Sequence, residues 1–350
     1  MPYDSKYTEG ERMKTILITG TSGFIASHIC EHILKNTDWN IIGIDKLSYS
    51  SSGYDRLRDI KAFDDKRVKL FATDLTLPLP EGLIKEIGEV DYILHLAAET
   101  HVDNSISSPV SFVQNNINST IYLLEYARSL KGLKKFLYFS TDEVFGTAPP
   151  NVNYKEGDRF NPGNPYSASK ASAECICMAY ANTYKMPIII TNTMNVIGER
   201  QHPEKFVPKV INCVLDGKTV PIHSDKTKKH AGTRFYIHAR NVADAVLFIL
   251  KKTNETLNNI DASKGKFNIV GEKEFDNLAL AKLIAKHMNK PLKYEMVSWH
   301  ESRPGHDLRY AISGMKMKRL GWKPPVTIEQ SINKVIDWNL MPENKKWLGR

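Results

Sequence analysis

Cysteine and long apolar runs are both scarce in this chain. Its four cysteines, Cys30, Cys175, Cys177 and Cys213, include no CxxC pair and no metal-ligand spacing. Cys175 and Cys177 are too close for an ordinary disulfide and fall in a helical pattern. Free thiols in a reducing compartment are therefore expected, with neither a disulfide framework nor a metal site. No stretch approaches the roughly 18 apolar residues of a membrane span, and Ala245–Leu250 is typical of the longest. The opening MPYDSKYTEGERM is polar and lacks the apolar core of a signal peptide. A cytoplasmic protein without a membrane partner is the expectation. With 20 glycines and 17 prolines in 350 residues, collagen-like and low-complexity chains are excluded.

The composition that remains is that of a globular protein with uneven charge. Hydrophobic residues make up 41% and charged residues 25%, enough to bury a core in one large or two medium domains. Residues 1–193 carry 20 basic and 23 acidic side chains, whereas residues 194–350 carry 28 and 16. A basic C-terminal half points to an acidic ligand, nucleic acid or a phosphorylated small molecule, unless the lysines form only a solvated surface.

Short apolar runs alternate with helical stretches. Thr15–Thr19, Ile41–Asp45, Val68–Ala72, Tyr92–Leu96, Phe136–Ser140 and Ile188–Thr191 read as strands, and 25–35, 108–130 and 166–185 as helices. Continuous apolar strands imply burial on both faces, and hence a parallel sheet covered by helices. The pattern predicts an α/β, doubly wound (Rossmann) fold. Beyond residue 194 it becomes irregular, with Pro203, Pro208 and Pro221, before a helix at Asn241–Lys251 and a strand at Phe267–Val270. The expected organisation is a Rossmann domain over 13–193, rejoined by 235–272, and a smaller interleaved lobe from 194–234 and 273–350.

Gly20-Thr21-Ser22-Gly23-Phe24-Ile25-Ala26 follows the first strand and opens a helix. Gly20 permits the tight turn, Gly23 lets the backbone approach a pyrophosphate, and Ala26 is small enough for close helix–strand packing. Asp45, at the end of the second strand, suits the two ribose hydroxyls and disfavours a 2′-phosphate, so NAD rather than NADP is expected. Asp74 ends the third strand, where it receives an adenine amino group or caps a helix.

Tyr166 and Lys170 in Tyr-Ser-Ala-Ser-Lys are four apart and share a helix face. A nearby ammonium is expected to lower the tyrosine pKa, letting it take a proton from an alcohol as hydride leaves carbon. Thr141, Asp142 and Glu143 stand at the C-terminal end of a strand, where doubly wound folds place their chemistry. Weighed alone, the two acids read slightly better as helix caps; beside the Tyr-Lys pair and the glycine loop they read as catalytic.

Gly20–Ala26, His95-Leu96-Ala97-Ala98-Glu99, Ser140–Gly146 (STDEVFG) and Tyr166–Lys170 together resemble the extended short-chain dehydrogenase/reductase superfamily. The Asp-Glu pair after Ser-Thr resembles its nucleoside-diphosphate-glucose 4,6-dehydratases, and the likeness extends to His101-Val102-Asp103, Asn195, Pro203-Glu204-Lys205 and Arg303–Asp307. It implies that Tyr166, with Thr141, deprotonates the 4-hydroxyl of dTDP- or UDP-glucose, that Glu143 takes the C5 proton, and that Asp142 protonates the departing 6-hydroxyl. It extends the cofactor set to Ser22, Phe24, Ile25, Lys46, Leu75, Leu96, Ala97 and Ala98. Asn195 and Arg234 go to the diphosphate, Arg303 to the nucleotide end, Glu204 and Lys205 near the base or ribose, and His101 to the sugar. A homodimer through the 108–130 and 166–185 helices is also implied, with no metal and no nucleic-acid partner. Departures from the family pattern are Asn104 in place of Arg, Phe145 in place of Tyr, Ser302 in place of Asp, and the altered Phe235–His238.

Two rival readings share much of this sequence. A nucleotide-sugar 4-epimerase or UDP-glucuronate decarboxylase keeps the loop and the Tyr-Lys pair but has no need of Asp142 and Glu143. A non-catalytic dinucleotide sensor or nucleic-acid-binding regulator would use the basic half, and has no reason to keep Thr141, Tyr166 and Lys170 together.

Overall fold

The computed structural model describes residues 12–252, 265–298 and 308–350. The short apolar runs form strands β1 (Thr15–Thr19), β2 (Asn40–Asp45), β3 (Val68–Ala72), β4 (Tyr92–His95), β5 (Lys135–Thr141) and β6 (Ile188–Thr193). With Lys266–Ile269 at one edge they make a seven-stranded sheet in the order Lys266–Ile269, β6, β5, β4, β1, β2, β3. Every neighbouring pair is parallel.

Successive strand residues point to opposite faces, so a run apolar throughout buries two layers at once. Ile16 and Ile18 of β1 join one core with Ile29, Leu137 and Val246, while Leu17 joins another with Leu123, Tyr138 and Ile190. The helices Phe24–Asn36 and Ala239–Lys251 pack together on the first face, and Pro109–Ser129 and Pro165–Tyr184 on the second. In Ala239–Lys251 the buried Val242, Ala245, Val246 and Ile249 recur at helical spacing. Each larger aliphatic side chain contributes about 1.5–3 kcal/mol of burial. β5 starts one residue before the apolar run, at Lys135, whose ammonium donates to the carbonyls of Ile249, Leu250 and Lys252 and so closes that helix.

The strand order reverses between β1 and β4, which leaves a crevice at the carboxyl ends of the strands. Register sets these ends level: Thr19 lies opposite Ile44 and His95, and Thr141 opposite Thr193. The loops that follow therefore emerge along one rim.

The other described residues form a smaller assembly of short pairings. Val220–Ser224 pairs in parallel with Tyr294–Ser298, and Thr233–Phe235 pairs antiparallel with Glu274–Asp276. Their core holds Val207, Ile211, Ile222, Leu280, Ile284 and Ile332. The chain leaves the large sheet after β6 and returns to it at Lys266–Ile269, so the two assemblies are interleaved.

Candidate active site

At the end of β1 the chain turns through Gly20 into the helix Phe24–Asn36. Gly20 adopts a φ of +68°, and a Cβ there would come within 2.9 Å of the Ala97 backbone, so conformation and space both exclude a side chain. Gly23 N–H donates to the Gly20 carbonyl at 2.8 Å, and a Cβ on Gly23 would lie 2.9 Å from that oxygen. The helix start carries no side-chain cap and lines a cleft of ≈ 340 Å³, an arrangement that favours an anion against free N–H groups. Asp45 faces the same cleft and accepts from the N–H groups of Ser22 (3.0 Å) and Leu47 (2.8 Å). Burial holds its carboxyl above the usual aspartate value.

Lys46, Asp74, Leu75, Leu96, Ala97 and Ala98 supply further walls. Asp74 accepts from Thr76 N–H at 2.9 Å in a local turn, and the next helix, Glu81–Ile87, begins after Pro80. The alternative of a helix cap is thereby settled against. Ser22 does not line the cleft as expected, and its contribution is the backbone bond to Asp45. An uncapped helix start, a carboxylate one strand away and small alanine walls fit an adenine dinucleotide.

Thr141 ends β5 and caps the short turn Asp142–Phe145, accepting from Glu143 N–H at 3.3 Å. The threonine, not the acids, is the cap. Its hydroxyl donates to Asp142 Oδ1 at 3.0 Å, while Asp142 Oδ2 is buried without a hydrogen-bond partner among the described residues. Burial and then the neighbouring Glu143 charge push Asp142 up to about 7, against the pull of Arg234 and Thr141.

Tyr166 and Lys170 occupy the first turns of the helix Pro165–Tyr184. Pro165 at its start and a capping box fix this entry: Asn164 Oδ1 accepts from Ser167 N–H at 2.9 Å, and Ser167 Oγ accepts from Asn164 N–H at 3.2 Å. Both side chains reach the cleft beside Thr141, Asp142 and Glu143. Lys170 Nζ donates to the Phe139 carbonyl at 2.6 Å and lies 4.2 Å from the Tyr138 ring centroid. The expected lowering of the Tyr166 pKa by Lys170 is not what this geometry produces. Burial, then the charges of Glu143 and Asp142, push the phenol well above the tyrosine range, opposed by a hydrogen bond with Thr141. Burial brings Lys170 itself down to about 8.

The residues expected to hold substrate divide. Asn195 and Lys205 line the cleft, whereas His101, Glu204 and Arg234 do not. Glu204 Oε2 lies 3.6 Å from His101 Nε2 and 3.5 Å from His202 Nδ1. Arg234 is buried; its Nη1 donates to the carbonyls of Thr233 (2.6 Å) and Leu308 (2.8 Å), and it stacks 4.3 Å from the Tyr310 ring centroid. Its charge acts on Asp142. Arg303, with the Arg303–Asp307 motif and Ser302, lies outside the described residues. Asn104 donates to the Tyr49 hydroxyl at 3.0 Å, and Phe145 packs against Tyr154 at 5.8 Å. The basic loop 225–230 folds on Asp225, which accepts from the N–H groups of Lys229 and His230, and takes no part in the cleft.

Sequence reasoning missed the buried charges that brace the site. Arg56 donates to the carbonyls of Ser22, Ser50, Ser51 and Arg200, pinning the glycine loop from behind. Glu174 pairs with Lys266 at 3.1 Å, and its four-residue spacing from Lys170 was the available signal. Among the described residues, no group of three or more His, Cys, Asp or Glu is placed to hold a metal ion, and no helix is long and apolar enough to cross a membrane.

Comparison with known proteins identifies the family and the fold. The GDP-mannose 4,6 dehydratase family matches residues 17–335. The dTDP-glucose 4,6-dehydratase 1 of Escherichia coli K12 is 35% identical over 358 residues, covering 95% of this chain and 94% of that protein. The trifunctional UDP-glucose 4,6-dehydratase/UDP-4-keto-6-deoxy-D-glucose 3,5-epimerase/UDP-4-keto-L-rhamnose-reductase RHM2 of Arabidopsis thaliana is 34% identical over 340 residues. That match covers 96% of this chain and 48% of the plant protein, so the chain spans about half the length of this relative. The crystal structure of the dTDP-glucose 4,6-dehydratase DesIV from Streptomyces venezuelae, with NAD and TYD bound, superposes with a TM-score of 0.82 at 30% identity, covering 95% of this chain and 98% of that one. The UDP-glucose 4-epimerase of Thermus thermophilus, in complex with NAD, gives 0.79 at 26% identity, covering 92% and 98%. By the extent of the family match and by these relatives, the chain belongs to the GDP-mannose 4,6-dehydratase family.

Proposed function

We propose that this chain is an NAD-dependent nucleoside-diphosphate-glucose 4,6-dehydratase, a hydro-lyase acting on dTDP- or UDP-glucose. The observation that carries the reading is the Asp142–Glu143 pair beside Tyr166, with Asp142 holding a proton near neutral pH. Adjacent acids with separated pKa values suit opposite roles. NAD, held by the glycine loop and Asp45, would supply a hydride acceptor that can give the hydride back, and a positive charge beside the sugar.

Tyr166 takes the proton of the sugar 4-hydroxyl. Lys170 supplies the ammonium that the phenolate needs against the two carboxylates. The 4-ketone acidifies the C5 proton, which Glu143 removes. Asp142 protonates the 6-hydroxyl as it leaves as water, and Glu143 then returns its proton to C5. Tyr166 is left with one proton too many and Asp142 with one too few. Thr141, whose hydroxyl contacts both, is the path that resets them.

The same proposal assigns cofactor binding to 13–193 with 235–272, and the nucleotide sugar to the lobe of 194–234 and 273–350. Asn195 and Lys205 are its cleft-lining contacts, with Arg303 at the nucleotide end. Arg234 serves by tuning Asp142. A homodimer through the helices Pro109–Ser129 and Pro165–Tyr184, in the cytoplasm, completes it, and sedimentation of the purified protein tests the dimer.

Asp142→Asn and Glu143→Gln are expected to retain NAD and lose dehydration. Near wild-type turnover in both would refute the assigned roles. The likeness to NAD-bound epimerases makes 4-epimerisation the second reading, and it predicts that both variants stay active.

A further inference from the structure

The assignment above asks Lys170 to hold positive charge next to Tyr166, yet burial works against that charge. One turn along the same helix lies Glu174, wholly buried. A carboxylate so far from water is costly unless paired and hydrogen-bonded, and this one is both. It lies 3.1 Å from Lys266 Nζ on the edge strand and accepts from Asn192 Nδ2 of β6 at 2.6 Å. The same Asn192 Nδ2 donates to the Thr141 carbonyl at 3.2 Å. One carboxylate thus ties the Tyr166 helix, β6, the edge strand and the end of β5.

The surroundings of Lys170 show why that charge matters. Its own helix offers Tyr166, Glu174 and Cys177, β5 offers the Phe139 carbonyl and Tyr138 ring, and β4 offers His95. Burial, reinforced by Lys170, brings His95 down to about 3, so it stays neutral. Burial likewise pushes the Cys177 thiol far above its usual value, so it too stays neutral. Glu174, its charge shared with Lys266, is the anion acting on Lys170.

We propose that Glu174 is a positioning residue for the Tyr166–Lys170 pair: it supplies the negative charge that keeps the Lys170 ammonium in a buried site and, through Asn192, fixes the strand end that presents Thr141. The proposal rests on the dehydratase reading for the task of Lys170.

Its test is the pH dependence of sugar oxidation, read as single-turnover appearance of reduced-nicotinamide absorbance with dTDP- or UDP-glucose. An Asp142→Asn background removes the titration of Asp142 from the profile. Glu174→Gln moves the Lys170-dependent fall at the high-pH side of the profile to lower pH by about one unit. Lys266→Met, which leaves the full Glu174 charge to Lys170, moves it to higher pH. Should Glu174→Gln fail to fold with Lys266 unpaired, Glu174→Gln/Lys266→Met restores a neutral floor and carries the same downward shift. A 15N-lysine NMR titration, with the resonance assigned through Lys170→Met, follows Lys170 directly and shows the same displacements. Reduced turnover with an unmoved profile and titration would make Glu174 a structural strut and overturn the proposal. A wild-type protein that transforms neither sugar refutes the dehydratase reading instead, and the NMR titration still decides about Glu174.

Discussion

Replacing Asp142 by Asn is expected to stabilise the protein while abolishing dehydration. Asp142 is 3% exposed, and burial with the Glu143 charge raises its pKa from 3.8 to about 7. Between these values the unfolded chain ionises while the folded chain keeps its proton, so the folded state loses stability as pH rises. The slope is about 1.4 kcal/mol per unit, and over roughly three units the penalty reaches about 4 kcal/mol. Above the folded pKa both states are ionised and the penalty stays constant. Asn has nearly the same shape, can accept the Thr141 hydrogen bond, and does not titrate. In urea unfolding at about pH 4, 6 and 8, the variant should match wild type at the lowest value and exceed it by about 4 kcal/mol at the highest. A stability gap that does not change with pH would show that Asp142 ionises as an ordinary aspartate, and the general-acid role would lose its physical basis.

Other parts of the structure make their own predictions. Gly20→Ala forces a Cβ against the Ala97 backbone at positive φ, costing at least about 1–2 kcal/mol, and should strip the protein of co-purifying NAD, measured by nicotinamide absorbance after extraction. Asn164→Ala removes the side-chain acceptor of Ser167 N–H, lowering stability by about 1 kcal/mol; because Tyr166 sits in that first turn, kcat should fall more than KM rises in steady-state assays. Burial alone would raise the Glu199 pKa, but its bond to His238 and the charges of His238, His28 and Arg240 hold it well below the glutamate range. Its contribution is thus present above the ordinary glutamate value and lost as pH falls. Glu199→Gln should cost about 3 kcal/mol near neutrality and blunt the acid sensitivity of unfolding, read from denaturation midpoints across pH.

The large sheet was legible because its central strands are largely apolar, and only burial on two faces tolerates that; the edge strand β3, with Lys69 exposed, shows it less. The glycine loop was legible for a related reason: Gly20 stands where backbone conformation and the Ala97 approach leave no room for a side chain. The small lobe was harder, since pairings such as Val196–Ile197 with Ile237–His238 are too short to show a period. Spacing put Tyr166 and Lys170 on one helix face but carried no information about burial, and burial with two carboxylates sets the tyrosine's acidity. Resemblance likewise carried the residue type of Arg234 to the site. Its side chain is instead committed to backbone carbonyls near Asp142. The Glu174–Lys266 pair depends on the edge strand returning to β6, a tertiary event with no local signature.

The central claim is most directly tested with dTDP- and UDP-glucose carrying deuterium at C4, incubated with the purified protein without added NAD. The account predicts loss of one water from one of them, with the deuterium on C6 of the 4-keto-6-deoxy product. Retention of the water, with deuterium returned to C4 of an epimerised sugar, would contradict it.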